Sequence, residues 1–596
     1  MNVLFCASEA APFAASGGLG DVAGSLPRAI RNRKVACRVV MPLYGDMKQE
    51  YREKLTYITN FTVPVGWRNQ YCGLFELTHN GVKYYFLDNE YYFKRTGLYG
   101  FYDDGERFAF FSRAILEMLF HVDFVPDVIH ANDWQTALVP VYLNLYYRHL
   151  EQYRSIKTVF TIHNIQYQGK YGMEILEDTL AIGRQDAHLV EYDGCVNFMK
   201  GAIECADKVT TVSPSYAGEI LDPWYSHGLD DLLRQKQYKL CGILNGIDVK
   251  SYDPATDPNL AANFDANSFA ENKPKCKKEL QEIFGLHDWP VPVVAMVTRL
   301  VGHKGVDLVR HVAQDIVNSG LQLVVLGSGE AAYESFFSEL AARNPGAVGV
   351  KIAFVPSLAR KIYAGADMFL MPSKSEPCGL SQMVALRYGT IPIVRETGGL
   401  RDTVLSYNKF TDEGNGFTFF NYNAHDMLHT VRRAVHYYQN NREVWYRLIV
   451  RGMTGDYSWY SSAGKYLALY EDVTKPATQF SLTEEQPENP KAAPALQAEA
   501  GDVKEEAPKT EEKPKVKRTP RKKAEPKAEA PAEVKEAPKT EEAPKKRGRK
   551  PKAEAAAEAK EVPKTEEAPK AKRAPRKKAE PKAETPAEVK EEPKAE

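Results

Sequence analysis

The sequence predicts an α/β protein: two Rossmann-like, doubly wound parallel-sheet domains followed by a disordered C-terminal tail. Three observations predict it. Apolar, β-rich runs alternate with helix-like stretches through residues 1–475, the pattern of parallel strands covered by helices on both faces. The runs form two series, separated by a polar, loop-rich stretch at 252–273 that reads as a linker. Composition then shifts abruptly near residue 476, and the last aromatic residue is Phe480.

In chain order, the first series is "NVLFCAS" (2–8), "RVVMP" (38–42), "PDVIHA" (126–131), "TVFTIHN" (158–164) and "KVTTVS" (208–213). The second is "VPVVAMVTRL" (291–300), "LQLVVLG" (321–327), "VKIAFV" (350–355), "DMFLMPS" (367–373) and "TIPIVRE" (390–396). A split near residue 245 is the simplest division, and 596 residues suit several domains. The start "MNVLFCASEAAPFAAS" lacks a basic n-region, and Ser8 and Glu9 interrupt its apolar run, so it reads as a first strand. No apolar run is long enough for a membrane span. The eight cysteines, from Cys6 to Cys378, form no CxxC pair, which points to reduced thiols in a cytoplasmic protein rather than a metal site.

Beyond residue 476 come Lys, Glu, Ala and Pro; "RTPRKKAEPKAEAPAEVKE" (518–536) returns as "RAPRKKAEPKAETPAEVKE" (573–591). Too little apolar surface is present to offset ordering entropy, so this tail is expected to be disordered. Residues 481–596 hold 30 of the 78 basic and 26 of the 78 acidic residues, leaving 48 and 52 in 1–480. Neither part is a strong polyelectrolyte, so charge names no partner.

Ligands of open α/β sheets bind beyond the C-terminal ends of the strands. After the first strand comes Gly17-Gly18-Leu19-Gly20-Asp21, which suits either a tight turn or a phosphate-facing backbone but is not GxGxxG. His130, Asp133 and His163 lie at or just past strand ends, as structural groups or as site residues. Arg299 and Lys304 follow the first strand of the second half; both suit a diphosphate, and both suit a solvated helix cap. Glu376 precedes a turn with Gly379 before a helix start, and Gly398-Gly399 follows the next strand. The adjacent acids in "YDD" (102–104) and "LDD" (229–231) read as solvated loops.

From residue 1 to about 472 the sequence strongly resembles the bacterial glycogen synthases and plant starch synthases, retaining glycosyltransferases of the two-domain GT-B fold. The resemblance runs through "SGGLGDVAGSLP" (16–27), "ERFAFFSRAILE" (106–117), "HANDWQT" (130–136), "TIHNIQYQG" (161–169), "ADKVTTVSPSYAGEI" (206–220) and "GLDDLLR" (228–234). It continues through "GILNGIDVKSYDPATD" (242–257), "TRLVGHKGVDL" (298–308), "SEPCGLSQMVALRYGTIPIVRETGGL" (375–400) and "DYSWYSSAGKYLALY" (456–470).

The resemblance implies a deep cleft between a glucan-acceptor domain (1–245) and a nucleotide-sugar domain (246–455). A helix (456–475) crosses back to the first domain, and the tail (476–596) lies outside the match. The implied substrates are ADP-glucose and an α-1,4-glucan, with no metal or cofactor and no membrane. Arg299 and Lys304 match the diphosphate-binding pair. Glu376 lies beside the transferred sugar, His163 near its C6 hydroxyl, and Asp133 faces the cleft from the other domain. Asn245, Gly17, Gly18, Gly379, Leu380, Gly398 and Gly399 match substrate-contacting positions. Retention is read in this family as front-face attack, with the departing phosphate accepting the acceptor's proton.

Two positions depart from the family pattern. The Lys of its Lys-x-Gly-Gly-Leu is Ala15 here. "RNRKVACRVVMP" (31–42) lacks the usual Gly-His turn. Val384 stands where related retaining transferases often carry a second Glu, as expected for a family that lacks it. Two rival readings remain: a UDP-glucose donor, or a degenerate head tethered by the tail to nucleic acid or protein. "KKRGRKPK" (545–552) and two "PRKK" clusters (520–523, 575–578) suggest a minor-groove hook, while neighbouring glutamates cancel most of the charge. A tether to other proteins or to glucan particles is the third role open to the tail. Truncation near residue 478 is expected to leave turnover on soluble glucan largely intact, measured as nucleotide release; a collapse would show that the tail takes part.

Overall fold

Val3, Leu4, Phe5 and Cys6 are fully buried, as expected of a strand covered on both faces. Their strand, Asn2–Cys6, pairs in parallel with Ala36–Pro42 on one side and Val128–Asn132 on the other. The structure, a computed structural model, describes residues 1–475; the tail expectation lies outside the described residues.

Around this central strand the first sheet runs Leu240–Gly242, Lys208–Thr211, Lys157–Ile162, Val128–Asn132, Asn2–Cys6, Ala36–Pro42, Val82–Asp88, Arg68–His79, Thr56–Val65. It is parallel up to Val82–Asp88 and antiparallel through the last two strands. The antiparallel pair is absent from the sequence reading. Its signals were Gly66 and Asn80-Gly81, all at positive φ between runs of β-formers.

The second sheet runs Val348–Ile352, Gln322–Gly327, Val293–Val297, Met368–Met371, Ile391–Arg395, Phe417–Phe419, all parallel. Numbered along this half of the chain, its order is 3-2-1-4-5-6, the Rossmann order. The order reverses between Val293–Val297 and Met368–Met371 here, and between Asn2–Cys6 and Val128–Asn132 in the first sheet. Loops leaving these strands therefore border two crevices.

The stretch 252–273 is not a free linker. Phe264 is buried in the second core, and the Asp257 carboxylate accepts from Tyr388 Oη (2.5 Å) and Arg360 Nη1 (3.1 Å). Its polar residues bond inward to the lobe they strap. The acids at 103 and 104 likewise depart from the expected solvated loop. Asp103 pairs with Arg95 at 2.6 Å, and Asp104 is buried against the buried Arg107. Asp230 and Asp231 both pair with Arg234 on the short helix Asp230–Gln235. Every one of these acids has an arginine partner. No described helix is long and apolar enough to cross a membrane.

The helix Trp459–Thr474 crosses back to the first lobe. Trp459, Ala463, Tyr466 and Tyr470 join the core of the first sheet. The chain passes between lobes where Ile247 N donates to Tyr457 O at 2.8 Å. Tyr470 Oη lies 2.7 Å from His130 Nδ1, and Thr161 Oγ1 lies 2.6 Å from its Nε2. His130 is thus a structural group joining the last helix to the sheet. Burial lowers its pKa from 6.5 to about 3.

Unfolded histidine takes up a proton as pH falls through 6.5, whereas His130 in the fold does so only near 3. Its contribution to stability is therefore full above 6.5 and declines as pH drops toward 3. Tyr470→Phe leaves a buried ring nitrogen unpaired and is expected to cost about 1–3 kcal/mol at neutral pH. A lowered urea midpoint checks this; an unchanged midpoint would contradict the contact's role.

Candidate active site

In the second lobe the site begins with a close backbone approach. Residues 302–305 turn just after the strand Val293–Val297, with Gly305 at φ +74°. A Cβ on Gly305 would lie 2.0 Å from Pro372 O, so only glycine fits. Lys374 N donates to His303 O at 2.9 Å, joining this turn to the loop after Met368–Met371. The result is a contact between residues far apart in sequence. Lys304 Nζ donates to both Glu376 oxygens, at 2.9 and 2.7 Å, and Ser373 Oγ donates to Oε2 at 2.9 Å. Glu376 is buried.

Arg299 is exposed and makes no side-chain hydrogen bond or ion pair among the described residues. It belongs to the same neighbourhood: after burial, the charges of Lys304 and Arg299 hold the His303 pKa below its usual value, opposed by Glu376 and Glu330. Leu380 caps the helix Ser381–Arg387, with Gly379 before it at φ +69°.

Gly398 and Gly399 sit behind Glu376. Gly398 has φ +45°, and a Cβ there would lie 2.1 Å from Glu376 O; Gly399 N donates to that same oxygen at 3.1 Å. Asn245 is buried, and its Oδ1 has no partner among the described residues.

In the first lobe, Asp133 follows Val128–Asn132 with φ +55°, a strained setting for a non-glycine residue. Its Oδ1 accepts from the amides of His163 (2.7 Å) and Asn164 (3.3 Å). Desolvation outweighs these bonds and pushes its pKa up to about 7. Asn132 Nδ2 donates to the carbonyls of Cys6 and His130, so Asn132 Oδ1 is left to accept from His163 Nε2 at 2.9 Å. That network sets the His163 tautomer and leaves Nδ1 as an acceptor. Burial keeps the ring neutral, with its pKa lowered to about 3.

Gly17 and Gly18 open the helix Gly18–Asn32, which has no side-chain cap, and a Cβ on either would meet open space. The buried Glu9 shapes this turn by accepting from Ser16 N (2.6 Å), Ser16 Oγ (2.7 Å) and Gly20 N (3.2 Å). Ala15 is exposed beside it.

Further residues stand at these crevices without having been singled out from the sequence. Glu9, Asn132 and Ser373 support it. Trp134 and the neighbouring Tyr167 and Tyr171 line a pocket of about 430 Å³ together with Gln166, Gln168 and His227. Phe354 is 88% exposed just past Val348–Ile352, where Ala353 N bonds Gly327 O. The sequence reading put Phe354 inside the strand 350–355, whereas the observed strand ends at Ile352, so the strand-end rule passed over it; the supporting groups act through partners that no local pattern shows.

Comparison with known proteins agrees with this architecture. The family model described as starch synthase catalytic domain matches residues 2–235, and that described as glycosyl transferases group 1 matches 282–447. A glycogen synthase of Geobacillus thermodenitrificans is 55% identical over 479 residues, 80% of this chain and 98% of its own. One from Clostridium acetobutylicum is 50% identical over 478 residues, 79% of this chain and 100% of its own. The catalytic domain of starch synthase IV from Arabidopsis thaliana, solved bound to ADP and acarbose, superposes with a TM-score of 0.73 at 35% identity. That match covers 79% of this chain and 99% of the plant domain. The chain is a glycosyltransferase of the GT-B fold and belongs to the glycogen synthase and starch synthase family.

Proposed function

We propose that the enzyme transfers glucose from ADP-glucose to the 4-hydroxyl at the non-reducing end of an α-1,4-glucan, with retention at the anomeric carbon. The observation that carries this reading is the Lys304–Glu376–Ser373 cluster at the switch point of the second sheet, with Arg299 exposed nearby. Lys304 commits two ammonium protons to Glu376 and keeps a third for a phosphate oxygen. Arg299 keeps its whole guanidinium fork.

In this reading the bond from glucosyl C1 to the phosphate oxygen breaks toward the nucleotide. The acceptor's 4-oxygen closes on C1 from the same face, and its proton passes to the departing phosphate. Arg299 and Lys304 hold the charge that develops on the leaving diphosphate. Glu376 balances positive charge on the sugar ring. His163 Nδ1 accepts a sugar hydroxyl, and Asp133 shapes the loop that carries it. Gly17, Gly18, Gly379 and Leu380 offer backbone to the donor, Asn245 its unpartnered carbonyl, and Phe354 a flat face for the base. The aromatic pocket at Trp134, Tyr167 and Tyr171, with glutamine amides beside it, suits the apolar faces and hydroxyls of a glucan. The ADP bound in the solved plant relative supports the donor assignment. Eight unbridged cysteines, five of them buried, suit a reducing compartment, and we place the reaction in the cytoplasm.

Purified protein with glycogen and either ADP-glucose or UDP-glucose tests the reading through nucleotide release. Faster turnover of ADP-glucose is expected. Faster turnover of UDP-glucose overturns the donor assignment, and none with either overturns the function. Lys304→Ala is expected to lower kcat by roughly 10²–10³-fold, the usual loss for one charge-stabilising donor. Ala15→Lys is expected to raise activity or leave it unchanged, because the exposed position accepts a longer side chain; a fall would show that the turn rejects it.

A further inference from the structure

One segment of the first lobe reaches across to the second beside Glu376. It begins with the short helix Pro214–Glu219, capped by Ser213, and runs to Tyr225. Ser215 donates to Asp402 through its amide (2.8 Å) and its hydroxyl (2.6 Å). Tyr225 Oη accepts from Arg395 Nη2 at 3.2 Å. Between them, Glu219 Oε1 accepts from Gly398 N at 2.8 Å, and Oε2 accepts from Thr397 Oγ1 at 3.1 Å.

Glu219 is half-buried, and its role is not explained by any contact within its own lobe. Every side-chain hydrogen bond it makes crosses to the other lobe. Gly398 is the residue whose Cα packs against Glu376 O, and Gly399 N donates to that oxygen. Arg395 holds the same loop from its other side, donating from Nη1 to Lys374 O at 2.7 Å. The backbone that carries Glu376 therefore rests on a turn fixed from behind by Glu219. Among the described residues the Gly398 amide has no other acceptor.

We infer that Glu219 is a positioning residue: its carboxylate, supplied by the first lobe, locks the Gly398–Gly399 turn and thereby sets where Glu376 stands against the donor sugar. The inference rests on the proposed reaction for its effect on rate and on the contact alone for its effect on the turn. Glu219 touches no substrate in this account. Its loss displaces Glu376 and lowers turnover while leaving both substrates bound. A small misplacement of a reacting or charge-balancing group is enough to slow a reaction substantially. Gln keeps one carbonyl oxygen for the Gly398 amide and so keeps the lock; Ala does not.

The test compares wild type, Glu219→Ala and Glu219→Gln in the full chain. It uses steady-state nucleotide release, melting temperature, and amide hydrogen exchange of the peptide spanning 396–403. For Glu219→Ala, kcat is expected to fall about 10–100-fold, with KM for either substrate within about threefold of wild type. Exchange in 396–403 is expected to speed up without loss of the global melting transition. Glu219→Gln is expected to recover kcat to within about threefold of wild type and to restore slow exchange. Wild-type kcat in Glu219→Ala overturns the inference, as does a rise in KM with kcat unchanged. So does a Glu219→Gln variant as impaired as Glu219→Ala, or unchanged exchange in 396–403. If wild type itself turns over neither donor, the proposed reaction fails, while the exchange comparison still reports whether Glu219 holds the turn.

Discussion

A carboxylate withdrawn from water needs a cation and hydrogen-bond donors, or the cost of burying it is not met. Glu376 has Lys304 and Ser373, and the second lobe's crevice is organised around that contact. Gly305 brings the Lys304 turn against Pro372, and Gly398 brings its own turn against the Glu376 carbonyl. Both approaches are too close for any side chain. The charge pair is therefore placed by main chain packed on main chain.

The first lobe uses its acids differently. Glu9 and Asp133 turn their oxygens onto backbone amides, and burial raises the pKa of both carboxyls. These groups act as folded-in braces that shape the glycine turn and the His163 loop. What remains for substrate is a neutral imidazole with one lone pair, backbone amides at a helix start, and an aromatic pocket. The cations at the Glu376 cluster, Lys304 and Arg299, thus come from the second lobe, while the first lobe adds the exposed Lys170 at its aromatic pocket.

Most of the fold was legible because parallel strands buried on both faces are nearly continuous apolar runs. Each of the ten runs read from the sequence overlaps an observed strand. The antiparallel pair Thr56–Val65 and Arg68–His79 was missed because one face meets solvent and mixes polar residues with aromatics. The strap at 252–273 looked like a linker because its polar side chains bond to partners such as Tyr388, more than a hundred positions away. Strand-end position singled out Arg299, Lys304 and Glu376, but not that Lys304 and Glu376 touch across 72 positions. Glu219 stood in a quoted motif and received no role, since its meaning lies wholly in the other lobe.

The helix Trp459–Thr474 has a consequence for biosynthesis. The core that begins at Val3 is finished by Trp459, Ala463, Tyr466 and Tyr470, so the first lobe is discontinuous in the chain. Roughly 200 residues separate its last strand, Leu240–Gly242, from that helix, a delay on the order of 10–40 s at ordinary ribosomal speed. Throughout that interval the nascent protein carries an apolar groove with no cover. The lobe translated second can complete its own packing first, while the one translated first waits for its closing piece.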